Sequence, residues 1–353
     1  MDNKVIQLIG ELAANHILAA EEYAYLIEHR DSESAALLAK LADAVRREHY
    51  GNDVYIRGLI EISNICKNNC LYCGIRAGNR KCDRYRLNEE DILACCKDGY
   101  SLGFRTFVLQ GGEDAYFTDE ILCGIIGRIK HEYPDCAVTL SLGERGAQSF
   151  KKLYDAGADR YLLRHETADE AHYNKLHPSE MSFARRMECL DELKKTGFQV
   201  GCGFMVGSPY QTVDHIVKDL KFIEKFQPDM CGIGPFIPHR DTPFARLRKG
   251  SVELTCYLLS IIRLICPTVL LPATTALGTI DPLGREKGIM AGANVIMPNL
   301  SPELAKKKYE LYNGKLSTGM EAAENLKKIE SSMKKIGYRV VVSRGDVKAN
   351  GAI

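Results

Sequence analysis

At 353 residues, 45% hydrophobic and 26% charged, the chain has a globular composition, with room for one large α/β barrel domain or two medium ones. Its 47 basic and 46 acidic residues nearly cancel, a net +1 with histidines neutral, which excludes the strongly basic surface of a nucleic-acid or anionic-membrane binder. No apolar run approaches the roughly 20 residues of a membrane-spanning helix. The start, MDNKVIQLIGELAANH, lacks the apolar core of a signal peptide, so the 13 cysteines point to the reducing cytoplasm rather than to a disulfide scaffold.

Residues 1–50 carry helical periodicity (Ile6, Leu8, Ile9 and Leu12, then Leu37, Leu38, Leu41 and Val45) and are expected to form an N-terminal helical extension. Over residues 51–302, strand-like apolar runs alternate with amphipathic helices. The expected strands are VYIRGLIEI (54–62), TFVLQ (106–110), AVTLSL (137–142), RYLLRHE (160–166), QVGCGFMV (199–206), MCGIGPF (230–236), TVLLPAT (268–274) and NVIMP (294–298). Eight β–α units predict an α/β fold with a parallel sheet and fit a (β/α)8 TIM-type barrel. A doubly wound open sheet is the alternative, because spacing does not prove closure. Residues 303–353 read as a C-terminal helical tail packing on the barrel, ending in a basic, frayed stretch.

A barrel gathers its reactive residues where strands end, on one face. Seven strand exits meet that demand: the cysteine loop SNICKNNCLYCGIR after the first, Gln110-Gly-Gly-Glu113, Ser141-Leu-Gly-Glu144, Arg164-His-Glu166, Pro235 to His239, Thr274-Thr275 and Pro298-Asn299. In the first of these, Cys66, Cys70 and Cys73 are spaced C-x3-C-x2-C. Three thiolates can hold three irons of a cubane cluster and leave the fourth open to a ligand. A zinc site with Cys82 as fourth ligand is the alternative, although zinc motifs usually come as paired C-x2-4-C arms.

The C-x3-C-x2-C spacing with Tyr72 before the last cysteine resembles the signature of the radical S-adenosylmethionine (SAM) enzymes. That resemblance implies one 4Fe–4S cluster on Cys66, Cys70 and Cys73. It also implies SAM chelated through its amino and carboxylate groups to the open iron, and one-electron cleavage of SAM to methionine and a 5′-deoxyadenosyl radical. Four longer segments, GADRYLLRHETA (157–168), GIGPFIPHRDTPF (232–244), LLPATTALGTIDPLGREKG (270–288) and GANVIMPNLSP (292–302), are similar to the HydE group of FeFe-hydrogenase maturases. This second resemblance implies a role in assembling the hydrogenase H-cluster. The substrate would be a small Fe(CO)2(CN)-cysteine-type or related sulfur-containing species, and other maturases and an electron donor would be transient partners. The biotin synthase and methylornithine synthase group, with a small organic substrate, is the alternative within the superfamily. A non-catalytic iron–sulfur carrier is the alternative outside it.

The same resemblance assigns Tyr72, Gln110, Gly111, Gly112, Glu113, Glu166 and Arg186 to the cofactor, with Arg185 leaving the last assignment open by one residue. It assigns Thr139, Arg160, Arg164, Met230, Thr274, Thr275, Tyr309 and Tyr312 to the substrate chamber. Strand alternation in RYLLRHE places Arg160, Leu162, Arg164 and Glu166 on one face. An inward guanidinium there needs an anionic partner, either a carboxylate such as Asp159 or Glu166 or a bound anion. His239 fits either a structural hydrogen bond or a catalytic role. Some HydE proteins hold an accessory cluster on three C-terminal cysteines. This chain has Ser317 in the corresponding stretch and no cysteine beyond Cys266, so no second cluster is expected.

Overall fold

The computed structural model describes residues 2–315 and 322–348; Ser317 and its neighbours lie outside the described residues. Eleven strands are described: β1 (Asp53–Ile56), β2 (Gly58–Ser63), β3 (Thr106–Gly111), β4 (Ala137–Ser141), β5 (Arg160–Leu162), β6 (Gln199–Cys202), β7 (Met205–Val206), β8 (Met230–Cys231), β9 (Gly234–Pro235), β10 (Val295–Ile296) and β11 (Arg339–Val341). Six form one parallel sheet in the order β2-β3-β4-β5-β6-β8, with β10-β1-β11 and β7-β9 beside it. Isolated parallel bridges, Met230↔Leu270, Pro272↔Val295 and Leu59↔Asn299, extend the succession at both edges. The core is thus a partial parallel sheet with surrounding helices. Of the eight continuous strands expected, the first breaks at Arg57, the fourth stops at Leu162, the fifth and sixth each split in two, and residues 268–274 contribute bridges alone. Left-handed backbone at Glu166 (φ 65°) and at Gly203 (φ 150°) interrupts the fourth and fifth runs.

The helices between strands start where the sequence offers hydroxyl caps. Thr118, Ser182 and Ser251 each accept from the N–H three residues on, opening helices Asp119–Glu132, Phe183–Thr196 and Val252–Ile265. The first buries Leu122, Ile125, Ile126 and Ile129 against the sheet, the one-faced pattern of an amphipathic helix. Helix Val252–Ile265 is apolar nearly all round because helices Asn3–Asn15 and Ser32–Tyr50 cover its outer side. Two buried arginines tie that layer down through carbonyls: Arg46 to those of Ala293, Gly51 and Asp53, at 3.1, 3.0 and 2.6 Å, and Arg263 to those of Gly292 and Pro267, at 3.0 and 2.7 Å. No helix among the described residues is long and apolar enough to cross a membrane.

The basic tail is not frayed through residue 348. After helix Ala322–Lys335, β11 pairs in parallel with β1, and the chain then crosses the amino ends of the strands. There Arg160 donates from Nε to Gln199 (3.0 Å), from Nη1 to Thr106 Oγ1 (3.0 Å) and from Nη2 to the Arg344 carbonyl (2.9 Å), and it pairs with Asp346 at 2.5 Å. Asp346 also takes Arg344 at 2.9 Å, and Arg344 reaches Asp159 at 2.8 Å. This network forms a floor beneath the sheet.

Candidate functional site

At the opposite, carboxyl ends of the strands lies a cavity of about 340 Å3. Its wall includes Cys66, Cys70 and Cys73, together with Tyr72, Gln110, Gly111, Gly112, Glu113, Arg164, Glu166, Arg186, Thr274, Thr275, Tyr309 and Tyr312. Fifteen residues assigned from sequence therefore converge on one chamber. Three do not line it. Arg160 is spent in the floor, and Thr139, its register partner on β4, sits at the same depth. Met230, in register with Gly201, accepts from buried Arg57 Nη1 at 2.9 Å.

The cysteine loop is held from behind by polar groups that sequence reasoning missed. Arg84 donates from Nη1 to the carbonyl of Ile75 (2.8 Å) and from Nη2 to that of Arg76 (2.7 Å). Asn64 Nδ2 reaches the carbonyls of Asp83 and Lys308, at 2.9 and 2.8 Å, while its Oδ1 accepts from Tyr85 N at 2.8 Å. Asn79 bonds the Gly74 carbonyl at 2.7 Å. The density of asparagine around the cysteines was the only signal for this. On the inner side, Glu113 N–H points at Cys66 Sγ (3.4 Å), and Gly112 is there because a Cβ would stand 2.3 Å from the Ile65 carbonyl and 2.7 Å from Cys66 Cβ. Tyr72 donates to His177 Nε2 (3.1 Å), since His177 Nδ1–H is committed to the Tyr173 carbonyl at 2.9 Å; burial pushes this imidazole down to about 3.

Burial also pushes all three thiols up, Cys70 to about 12, so thiolates here require a cation brought to the loop. Among the described residues no three histidine, cysteine, aspartate or glutamate side chains surround a single-ion position. Cys82 belongs to a different pocket on the outer side of the loop, together with His239. His239 is buried there, accepting from Asp241 N at 3.1 Å and standing 3.6 Å from Glu310, a structural setting.

Of the two adjacent arginines, Arg186 faces the chamber, bonded to Glu144 (2.6 Å) and the Arg164 carbonyl (2.7 Å). Arg185 turns outward to Glu188 and Glu192, at 2.7 and 3.2 Å. Arg164 Nη2 stands 3.1 Å from Glu166 Oε2, yet Arg164 Nε and Nη2, Glu166 Oε2 and Thr274 Oγ1 are all buried without a hydrogen bond. Orphaned buried polar atoms facing a cavity are what a polar ligand would satisfy. A zwitterionic amino acid with an attached nucleoside offers both charges and hydroxyls, and three thiols beside it offer a metal anchor; the residues fit SAM and its cluster.

Comparison with known proteins agrees with this chemistry. The model of the Radical SAM superfamily matches residues 60–223. The [FeFe] hydrogenase maturase subunit HydE of Thermotoga maritima is 48% identical over 279 residues, covering 79% of either chain. The 3-methylornithine synthase of Methanosarcina acetivorans is 29% identical over 281 residues, again 79% of each. Among solved structures, methylornithine synthase (PylB) superposes with a TM-score of 0.83 at 26% identity, covering 95% of this chain and 97% of that one. HydG, a maturase of the [FeFe]-hydrogenase, gives 0.78 at 22% identity over 96% of this chain and 76% of that one, a likeness of fold.

Proposed function

The chain belongs to the radical SAM superfamily as an enzyme closely homologous to HydE, and from that premise we propose that it is a HydE-type maturase acting in the cytoplasm on a small sulfur-containing iron species during H-cluster assembly. The observation that carries the proposal is the single chamber in which the cysteine loop, Arg186, Glu166 and the hydroxyl-bearing Thr274, Thr275, Tyr309 and Tyr312 meet. Its polar orphans, donors on Arg164 and an acceptor on Glu166, match a cargo that carries charges of both signs.

In this reading Cys66, Cys70 and Cys73 hold one 4Fe–4S cluster, and Tyr72 packs beside it. When bound, the cluster supplies the electron that cleaves SAM to a 5′-deoxyadenosyl radical. Gln110 to Glu113 approach the amino end of SAM through glycine backbone, Arg186 pairs with its carboxylate, and Glu166 accepts from its polar end. Arg164, Thr274 and Thr275 orient the substrate, and Tyr309 and Tyr312 exclude water above it. Arg160 and Thr139 belong to the floor, and Met230 sits against Arg57 below the chamber. We read the sheet and its isolated bridges as a ring of eight strands spanning residues 51–302, with the N-terminal helices packed outside it and the described part of the C-terminal segment contributing Tyr309 and Tyr312 to the chamber and Asp346 to the floor. Other maturases and an electron donor are the expected transient partners.

The test is anaerobic reconstitution followed by reduction with SAM. The expected result is about four irons and four sulfides per chain, with 5′-deoxyadenosine released. Co-expression of a hydrogenase with the remaining maturases must then depend on this chain. SAM cleavage without any hydrogenase dependence would instead favour a small organic substrate, the reading to which the close superposition with methylornithine synthase lends weight.

A further inference from the structure

Glu166 is the one chamber-lining residue other than glycine with left-handed backbone among the described residues, at φ 65°. A glutamate gains nothing locally from that conformation, so the surrounding structure imposes it. The restraint comes from behind the sheet. Asp219, fully buried on helix Val213–Phe226, accepts from Ala168 N at 2.5 Å and from His165 Nε2 at 3.2 Å through the same Oδ1. One carboxylate oxygen therefore grips the chain on both sides of Glu166.

The His165 ring is fixed from its other nitrogen. Gly203 N–H donates to His165 Nδ1 at 3.2 Å, which leaves the proton on Nε2, facing Asp219. Gly203 in turn accepts at its carbonyl from Glu166 N at 3.0 Å. It can do so only as glycine, since a Cβ would stand 2.1 Å from the Gly232 carbonyl. Thr167 is held separately by His172, 3.1 Å away. Each residue from 165 to 168 is pinned, and the Glu166 carboxylate is left facing the chamber, 3.1 Å from Arg164 and with no hydrogen bond to Oε2.

We propose that Asp219 is a positioning residue for the radical reaction: it clamps the left-handed turn that presents Glu166 to SAM, although it lies outside the chamber. The role rests on the reading that Glu166 contacts SAM, and the experiment separates the two. SAM affinity is measured by anaerobic calorimetry on reconstituted enzyme for Asp219→Ala, Asp219→Asn, Glu166→Gln and the double variant Asp219→Ala/Glu166→Gln. Asp219→Ala is expected to weaken SAM about tenfold, the loss of a buried charge-assisted hydrogen bond. Asp219→Asn, which keeps one acceptor oxygen, is expected to recover most of that affinity. In the Glu166→Gln background, Asp219→Ala is expected to add less than about twofold, because coupled residues are non-additive.

Full additivity in the double variant, or a loss in Asp219→Ala that asparagine does not recover, would mark general loosening and overturn the proposal. Unchanged affinity in Asp219→Ala alongside weakened binding in Glu166→Gln would overturn it while leaving the Glu166 reading intact. Unchanged affinity in Glu166→Gln removes the premise itself. If Asp219→Ala does not fold, His165→Phe keeps the ring volume and removes the same grip; it is expected to weaken SAM in the same direction, again only when Glu166 is present.

Discussion

Arg160 and Arg164 lie four residues apart in one chain segment, and their surroundings are opposite. At the floor, every nitrogen of Arg160 has a protein partner. At the mouth, Arg164 keeps Nε and Nη2 free of hydrogen bonds, and Glu166 and Thr274 beside it keep orphaned oxygens. Hydrogen-bonding capacity that the protein has already consumed is structural; capacity left open in a cavity is available to a ligand. Level with Arg160, Thr139 Oγ1 is also without a hydrogen bond, as is Arg57 Nε, so the division between the ends is one of degree.

Substitutions should divide along the same line. The largest effect is expected from Cys73→Ser: 5′-deoxyadenosine formation lost after reconstitution, with less than about 1 kcal/mol change in the unfolding free energy of the metal-free protein. Arg186→Ala should follow, with SAM affinity reduced about 10- to 100-fold by calorimetry through loss of a charge-assisted pair. Arg160→Ala should do the converse. It should cost about 2–4 kcal/mol of stability in denaturant titrations, since it strands partners of a buried cation, while SAM affinity stays within about twofold. An Arg160→Ala variant that keeps full stability and loses SAM or substrate binding would break the comparison.

The smallest effect concerns acid. Burial alone would raise the Asp346 carboxyl, but hydrogen bonds from Arg344 and Gln199 and the charges of Arg160 and Arg344 outweigh it and hold it at about 2, below the ordinary aspartate range. A carboxyl lowered in the folded state stabilises above its unfolded value and ceases to do so as pH falls through its folded one. Between about pH 4 and pH 2 the wild type should therefore lose stability more steeply than Asp346→Asn, in parallel acid titrations followed by circular dichroism.

The mouth was legible in sequence because its chemistry is local. Cys66, Cys70 and Cys73 sit in one loop, and Gln110, Glu166 and Thr274 follow apolar runs that end abruptly. The floor was not. Alternation along RYLLRHE places Arg160 and Arg164 on one face, but β5 ends at Leu162 and a face is not a depth. At about 3.3 Å per residue, four residues separate them by roughly 13 Å, enough to move one from chamber to floor. Thr139 and Met230 were misplaced for the same reason, both lying level with the lower part of the sheet. Asp346 and β11 were missed because three strand residues in a basic stretch carry little periodicity, and their partners on β1 and β5 are distant in sequence. The Asp219 clamp gave no sign either, since its aspartate looks like any polar residue of an amphipathic helix until the fold buries it.

The pairing of β1 with β10 and β11 also sets a timetable. β1 leaves the ribosome about 280 residues before β11. At about 5–20 residues per second, its β11 edge therefore waits on the order of 15–60 s, and its other edge waits nearly as long for β10. Throughout that interval the nascent chain presents an apolar Val54–Tyr55–Ile56 edge, a template for mispairing with other chains. Chaperone supply and translation rate should thus limit the yield of this protein more than its final stability does, and the floor is the last part of the molecule to come into being.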